Sequence, residues 1–241
     1  MGQNSSLADA TESPAHAPVS GIGVLDKSVA VLRAAAEEPA SLADLCARTG
    51  LPRATAHRLA VGLELHGLLA RDGDGLWRPG TALRELAAST TDTLVDAAVM
   101  VLPRLREITG ESVQLYRREG DHRVCVAAAE PPSGLRDTVP VGTRLPMTAG
   151  SGAKVLTAWT DTTEAPFSDR TLAEVRKRGW AQSAGEREAG VASVSAPVRD
   201  ARGEVIAAIS VSGPIDRMGR RPGARWAADL LQAAEALQRR L

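Results

Sequence analysis

The chain has two cysteines in 241 residues, no run approaching 18 apolar residues, and no net charge, since 29 Lys and Arg offset 29 Asp and Glu. Each shortage excludes something. Cys46 on an apolar helical pattern and Cys125 in a strand-like run make neither a metal-ligand spacing nor a disulfide framework, so both read as small core residues and no metal is expected. The missing apolar run removes a membrane-spanning helix. Residues 1–20, MGQNSSLADATESPAHAPVS, lack the basic start and apolar centre of a secretory signal, so the expected location is the cytoplasm. Neither a Walker loop nor a dinucleotide glycine fingerprint occurs, and no cofactor is expected. What remains is ordinary soluble composition, 44% hydrophobic and 24% charged, with length enough for two domains.

Residues 41–66, SLADLCARTGLPRATAHRLAVGLELH, read as two short helices around a tight turn. Ser41 is a good N-cap, Asp44 suits the positively polarised first turn, and Leu42, Leu45 and Cys46 share one face. Thr49 and Gly50 close that helix, and Pro52 fits the first turn of the next. In the second helix Ala56, Leu59, Ala60 and Leu63 form the inward stripe, which leaves His57, Arg58 and Val61 outside with Thr55 at the flank. Residues 68–71 and 76–78 then read as strands around Asp72-Gly73-Asp74-Gly75. This is a winged helix-turn-helix, a shape that lays its second helix in the major groove of double-stranded DNA. The alternative is a protein-binding adaptor, with Arg58 a solvated charge and His57 an ordinary exposed residue. On the DNA reading, Arg58 and Thr55 contact bases, His57 lies on the same face, and Arg53, Arg71 and Arg78 mainly hold phosphates. Residues 41–80 carry five arginines against four acids, so bulk attraction to DNA is weak and a second copy of the head is needed.

Along the rest of the chain, residues 1–20 read as a flexible tail, 21–80 as the DNA-binding domain, 81–90 as a linker helix and 91–241 as a second domain. Ile22, Leu25, Val29, Leu32 and Ala36 fit one face of a helix that completes the core of the reading pair. Val95, Val99, Leu102, Leu105 and Ile108 form a second stripe, in which Pro103 predicts a kink or a restart. Strands are expected at 112–118, 122–130, 137–141, 180–183, 191–199 and 204–212, and helices at 149–159, 171–178 and the C-terminus. Hairpins mixed with helices give an α+β domain around a mainly antiparallel sheet.

Two patterns in this domain bear on chemistry. Ser151-Gly152-Ala153-Lys154 spells the S-x-x-K of a serine hydrolase, but its companion S-D-N and K-T-G motifs are missing. Gly150, Ser151 and Gly152 at a helix start would instead offer backbone N–H groups to a carboxylate, or serve as a plain cap. On the last strand Ser210 and Ser212 share a face with Ile206 and Ala208, while Val205, Ala207, Ile209 and Val211 point the other way. Ser193 and Ser195 alternate likewise. These hydroxyls either line a pocket or face water. Glu186 is a weaker candidate, since its charged run fits a solvated loop.

With LDKSVAVLRAA, LADLCARTGLPRATAHRLAVGLELHGLL, TGES, RGWAQSAGEREAGVASVSAPVRD and EVIAAISVSGPIDR in view, the chain resembles the IclR family of bacterial transcription regulators across residues 21–241. It looks most like the actinobacterial subgroup that controls leucine and related amino-acid biosynthesis, through HRLAVGLE, DTVPVGTRL, GEREAGVASVSAPVR and AISVSGPI. The resemblance implies a homodimer or tetramer, and the apolar stripe of the first helix and residues 81–88 are the expected contacts because both carry apolar residues on elements that join the heads. It also implies a GAF-like effector domain whose ligand controls binding to operator DNA. Its pocket carries over to Met147, Ala149, Gly150, Ser151, Ser183, Ser193, Ser210 and Ser212. The implied effector is a small carboxylate, a branched-chain amino acid or a leucine-pathway acid, with Met147, Ala149 and Ala208 around its aliphatic part. No lysine or arginine is among these residues, which predicts modest affinity. Residues 160–170 are shorter than usual for the family, which alters part of the pocket wall.

Overall fold

The computed structural model describes residues 20–89, 92–160 and 165–241. The expected tail thus lies, apart from Ser20, outside the described residues, as does part of the shortened 160–170 segment. The chain divides into two compact units between Thr91 and Asp92. No single described helix is long and apolar enough to cross a membrane.

The first unit runs α1 (Gly23–Glu37), α2 (Leu42–Thr49), α3 (Arg53–Leu65), β1 (Leu69–Arg71), β2 (Trp77–Pro79) and α4 (Ala82–Ala88). Helix α2 starts on a capping box: the Ser41 hydroxyl accepts from the Asp44 N–H at 3.3 Å, and the Asp44 carboxylate accepts from the Ser41 N–H at 2.9 Å. It ends at Gly50 with φ 68°, where glycine avoids the Cβ penalty of a left-handed cap. Arg48 donates to the Ala34 and Glu38 carbonyls and fastens α2 to α1. The core joins Val31, Ala34 and Ala35 of α1 to Leu45, Ala60, Leu69 and Trp77.

This corrects the expected face of α1. Ile22, Leu25 and Val29 are exposed, and the side that packs is the one rich in alanine. Small side chains let helices approach closely, so the larger residues stay outside.

The wing is tied at both ends. Ala40 and Trp77 exchange two backbone bonds of 2.9 Å, which adds a bridge to the β1–β2 pair. At its base Gly80 sits against Gly67, where an added Cβ would lie 2.0 Å from the Gly67 carbonyl oxygen.

The second unit runs α5 (Thr93–Thr109), β3 (Ser112–Glu119), β4 (His122–Ala129), β5 (Arg144–Pro146), α6 (Ser151–Ala158), α7 (Asp169–Arg178), β6 (Ala181–Ala184), β7 (Val191–Arg199), β8 (Val205–Pro214), α8 (Ile215–Met218) and α9 (Gly223–Gln238). Its six strands form one antiparallel sheet, ordered β5-β4-β3-β8-β7-β6. One core holds Leu102 and Leu105 of α5, Leu230 and Leu237 of α9, and Leu115, Val194, Ile209 and Val211 of the sheet. A second core, with Val155, Leu172, Val175, Cys125 and Ala208, lies under α6 and α7 on the opposite face. Burial among these groups pushes the Cys125 thiol up to about 11, so it stays protonated and inert.

Four expectations fail here for physical reasons. Residues 137–141 are not a strand: Gly142, at φ 90°, turns the chain and donates to the Cys125 carbonyl, and pairing with β4 starts only at Arg144. Helix α5 does not restart at Pro103 but continues through it, and the N–H that proline lacks would have met Val99, a residue on the exposed side. Its buried face is Leu94, Ala97, Ala98, Val101, Leu102 and Leu105, while Val99 and Ile108 are exposed. Finally, the register shift at Val198/Arg199 turns Val205 toward the α6–α7 core and Ile206 toward the other, reversing the alternation expected for those two residues.

Candidate functional site

The outward face of α3 is built by subtraction. Ala56 and Ala60 are buried, so Arg53, His57 and Arg58 emerge together as exposed side chains, with Thr55 half-buried at the flank. Pro52 caps the helix and sets Arg53 as its first residue. The helix offers no acid in its first turn. On the wing Arg78 is exposed, whereas Arg71 is engaged: its Nε donates to Glu64 at 3.2 Å and its guanidinium lies 4.3 Å from the centre of the Trp77 ring. His57 meets the same ring edge-on at 6.1 Å. Trp77 therefore joins the wing to α3, and Arg71 fixes their relative position.

The second site lies between β4, β7, β8 and the start of α6. Gly150, Ser151, Ser183, Ser193, Ser210 and Ser212 line one cavity of about 20 Å³, roughly the room of a single water. Met147 and Ala149 do not line it; Met147 packs in the adjoining core. The serines do not face water. Ser195 donates to Ser210 at 2.9 Å, and Ser151 contacts both Ser195 and Ser193 at 2.7 Å, with Ser183 to Ser193 at 3.2 Å. Each hydroxyl has one proton, so the direction is forced: Ser183 donates to Ser193, Ser193 to Ser151, Ser151 to Ser195, and Ser195 to Ser210. Ser210 thus keeps its own proton to donate at the cavity wall. Ser212 donates to Gln114 at 3.0 Å.

No serine–lysine pair forms. Ser151 bonds serines, while Lys154 Nζ donates to the Gln182 carbonyl at 3.1 Å and to Glu186. Glu186, exposed in the 185–190 loop as its charged run suggests, also accepts from the Gly150 N–H at 3.4 Å and so reaches the helix start.

The expectation that no cation lines the pocket is overturned. Arg123 of β4 and Arg187 of the β6–β7 loop both do, beside Asp137. Arg187 holds Asp137 through both carboxylate oxygens, at 3.0 and 3.1 Å. Arg123 is buried, donates from Nη1 to the Pro146 carbonyl, and lies 5.5 Å from the centre of the Tyr116 ring. Desolvation lowers the Arg123 pKa and, against the same wall, raises that of Tyr116, which remains neutral. The signal that could have found Arg123 is the period of β4, which puts it on the same buried face as Cys125. No group of three or more His, Cys, Asp or Glu among the described residues is arranged to hold a metal ion.

Comparison with known proteins agrees with both halves. The IclR helix-turn-helix domain matches residues 24–73, and the bacterial transcriptional regulator IclR C-terminal domain matches residues 86–168 and 162–239. The chain is 32% identical over 222 residues, 82% of this chain and 80% of the other, to the HTH-type transcriptional regulator BhcR of Paracoccus denitrificans. It is 25% identical over 223 residues, 82% of each chain, to the HTH-type transcriptional repressor AllR of Salmonella typhimurium. Among solved structures, an IclR homologue complexed with 4-hydroxybenzoate from Microbacterium hydrocarbonoxydans has a TM-score of 0.79 and 25% identity, and the match covers 90% of this chain and 98% of that one. The family and these relatives are regulators, not enzymes. Helix pair, wing and curled antiparallel sheet together make this chain a DNA-binding transcriptional regulator of the IclR family.

Proposed function

We propose that the chain is a cytoplasmic, ligand-responsive repressor that binds operator DNA as a homodimer or tetramer and controls genes of leucine or related amino-acid metabolism. The observation that carries the DNA half is the cluster of Arg53, His57 and Arg58 on the exposed face of α3, flanked by Arg78 of the wing. Arg58 and Thr55 read base edges, Arg53 and Arg78 hold phosphates, and Arg71 orients the wing. Assembly is supported by the exposed apolar residues Ile22, just before α1, Val24 and Leu25 of α1 and Leu86 of α4, which a second head would cover.

The effector is a small carboxylate, a branched-chain amino acid or an acid of the leucine pathway, bound among Gly150, Ser151, Ser193, Ser210 and Ser212. That a homologue holds 4-hydroxybenzoate supports a carboxylate. The motifs shared with the leucine-controlling subgroup support the aliphatic choice. A ligand of this size needs the 185–190 loop to move, and Gly185 and Gly190, at φ 72° and 89°, bound that loop. Regulation follows if the ligand favours one arrangement of the heads over another. Sequencing the DNA retained by the full chain, then titrating leucine, its keto acid and pathway malates against the selected site, tests both halves. Selection of a defined site and its release by one of these acids is expected; no sequence enrichment would refute the reading.

A further inference from the structure

The buried charge balance of the pocket is uneven. Asp137 is matched by Arg187, but Arg123 is ion-paired to no carboxylate among the described residues. Arg123 is 3% exposed, and its Nε has no hydrogen-bond partner. Taking a guanidinium out of water without a counter-charge is unfavourable, so such a group implies an anion that completes it.

Its position says where. A Cβ added to Gly150 would lie 3.2 Å from Arg123 Nη2, and one added to Gly152 would lie 3.5 Å from Nε. The guanidinium therefore rests against the first turn of α6, an eight-residue helix whose leading N–H groups have no partner within the helix. Gly150 has φ 95°, so both its backbone and the space beside Arg123 exclude a side chain. Helix start and guanidinium converge on one volume, and both favour negative charge. The Glu186 carboxylate on the Gly150 N–H shows that a carboxylate fits the outer edge of this start.

We infer that Arg123 is the charge anchor of the effector site, and that it makes the pocket select carboxylates over neutral molecules of the same shape. This rests on the ligand-responsive reading above and adds to it a specific residue and a selection by charge. Arg123 supplies the counter-charge, the first turn of α6 orients the carboxylate, and the Ser210 proton meets a second acceptor on the ligand.

The test uses the full chain at constant ionic strength, with isovalerate as the acid and isovaleramide as its neutral counterpart, read by thermal unfolding. Wild type should gain stability with isovalerate and not with the amide. Arg123→Met should fold with an unchanged or higher midpoint, because a buried charge short of partners has gone, and should bind isovalerate on the order of tenfold to a hundredfold more weakly. Arg123→Lys, which keeps charge but not the planar fork, should respond weakly and still prefer the acid. Equal response to acid and amide, no response to either in wild type, or an Arg123→Met variant within twofold of wild type would overturn the inference. If Arg123→Met did not fold, Arg123→Lys would decide, and loss of its acid preference would count against the anchor. Release of selected DNA by a neutral compound would leave the regulator reading standing while sinking this one.

Discussion

The two units place their polar chemistry on opposite sides of their surfaces. In the first, the core is small and rich in alanine, and the charged groups stand outside on α3 and the wing. In the second, two apolar cores flank the sheet, and hydroxyls, an ion pair and an arginine are buried beside one of them. The difference teaches how each fails. A DNA-reading face can lose a side chain without losing its fold, whereas a buried polar pocket couples every change to stability.

The sharpest break of this contrast is in backbone packing. Gly80→Ala would drive a Cβ to 2.0 Å from the Gly67 carbonyl oxygen. It should destabilise the first unit by about 3 kcal/mol or more and abolish DNA binding, measured by urea unfolding and fluorescence anisotropy. On the α3 face the contrast predicts the reverse. Arg58→Ala should cost roughly 1 to 3 kcal/mol of base discrimination with an unchanged unfolding midpoint, checked by competition between the selected site and single-base variants.

A comparable change in the pocket should be felt in the fold. Ser195→Val interrupts the donor chain at its centre, leaving Ser210 without a donor and turning the Ser151 proton back to Ser193. A loss of about 1 to 3 kcal/mol is expected in chemical denaturation, with DNA contacts intact. Glu186→Gln sharpens the same point on a smaller scale: with the intramolecular carboxylate on Gly150 weakened, carboxylate ligands should bind severalfold tighter by calorimetry.

The smallest effect is set by pH. Arg117 bonds both oxygens of Asp92 at the start of α5 and lowers the Asp92 pKa below 3.8. The unfolded chain therefore holds the proton more readily, so this pairing stabilises the fold above about pH 4 and is lost as the pH falls through the depressed value. Asp92→Asn should lower stability modestly at neutral pH and converge with wild type in acid, which flattens the acid limb of the profile.

The same contrast explains what was legible in the sequence. Ser41, Gly50, Pro52 and the α3 stripe carry local, periodic signals, and the helix pair stands where they put it. Side-chain size misled elsewhere. In α1 the larger residues drew the apolar stripe toward Ile22, Leu25 and Val29, while close packing selected Val31, Ala34 and Ala35. The serine alternation marked the pocket wall, but the one-way donation from Ser183 to Ser210 depends on strands β6, β7 and β8 meeting α6, which no linear pattern encodes. The period of β4 marks Arg123 as sharing a face with Cys125, but only the fold brings the start of α6 down upon it.

Sequence-specific reading by the outer face of α3 is measured most directly as the affinity of the full chain for a selected DNA site against scrambled DNA at physiological salt. Wild type should prefer the selected site by on the order of a thousandfold or more. Arg58→Ala should lose most of that preference, and Arg78→Ala should weaken both DNAs alike. Equal binding of selected and scrambled DNA by wild type, or an Arg58→Ala variant that discriminates as well as wild type, would contradict it.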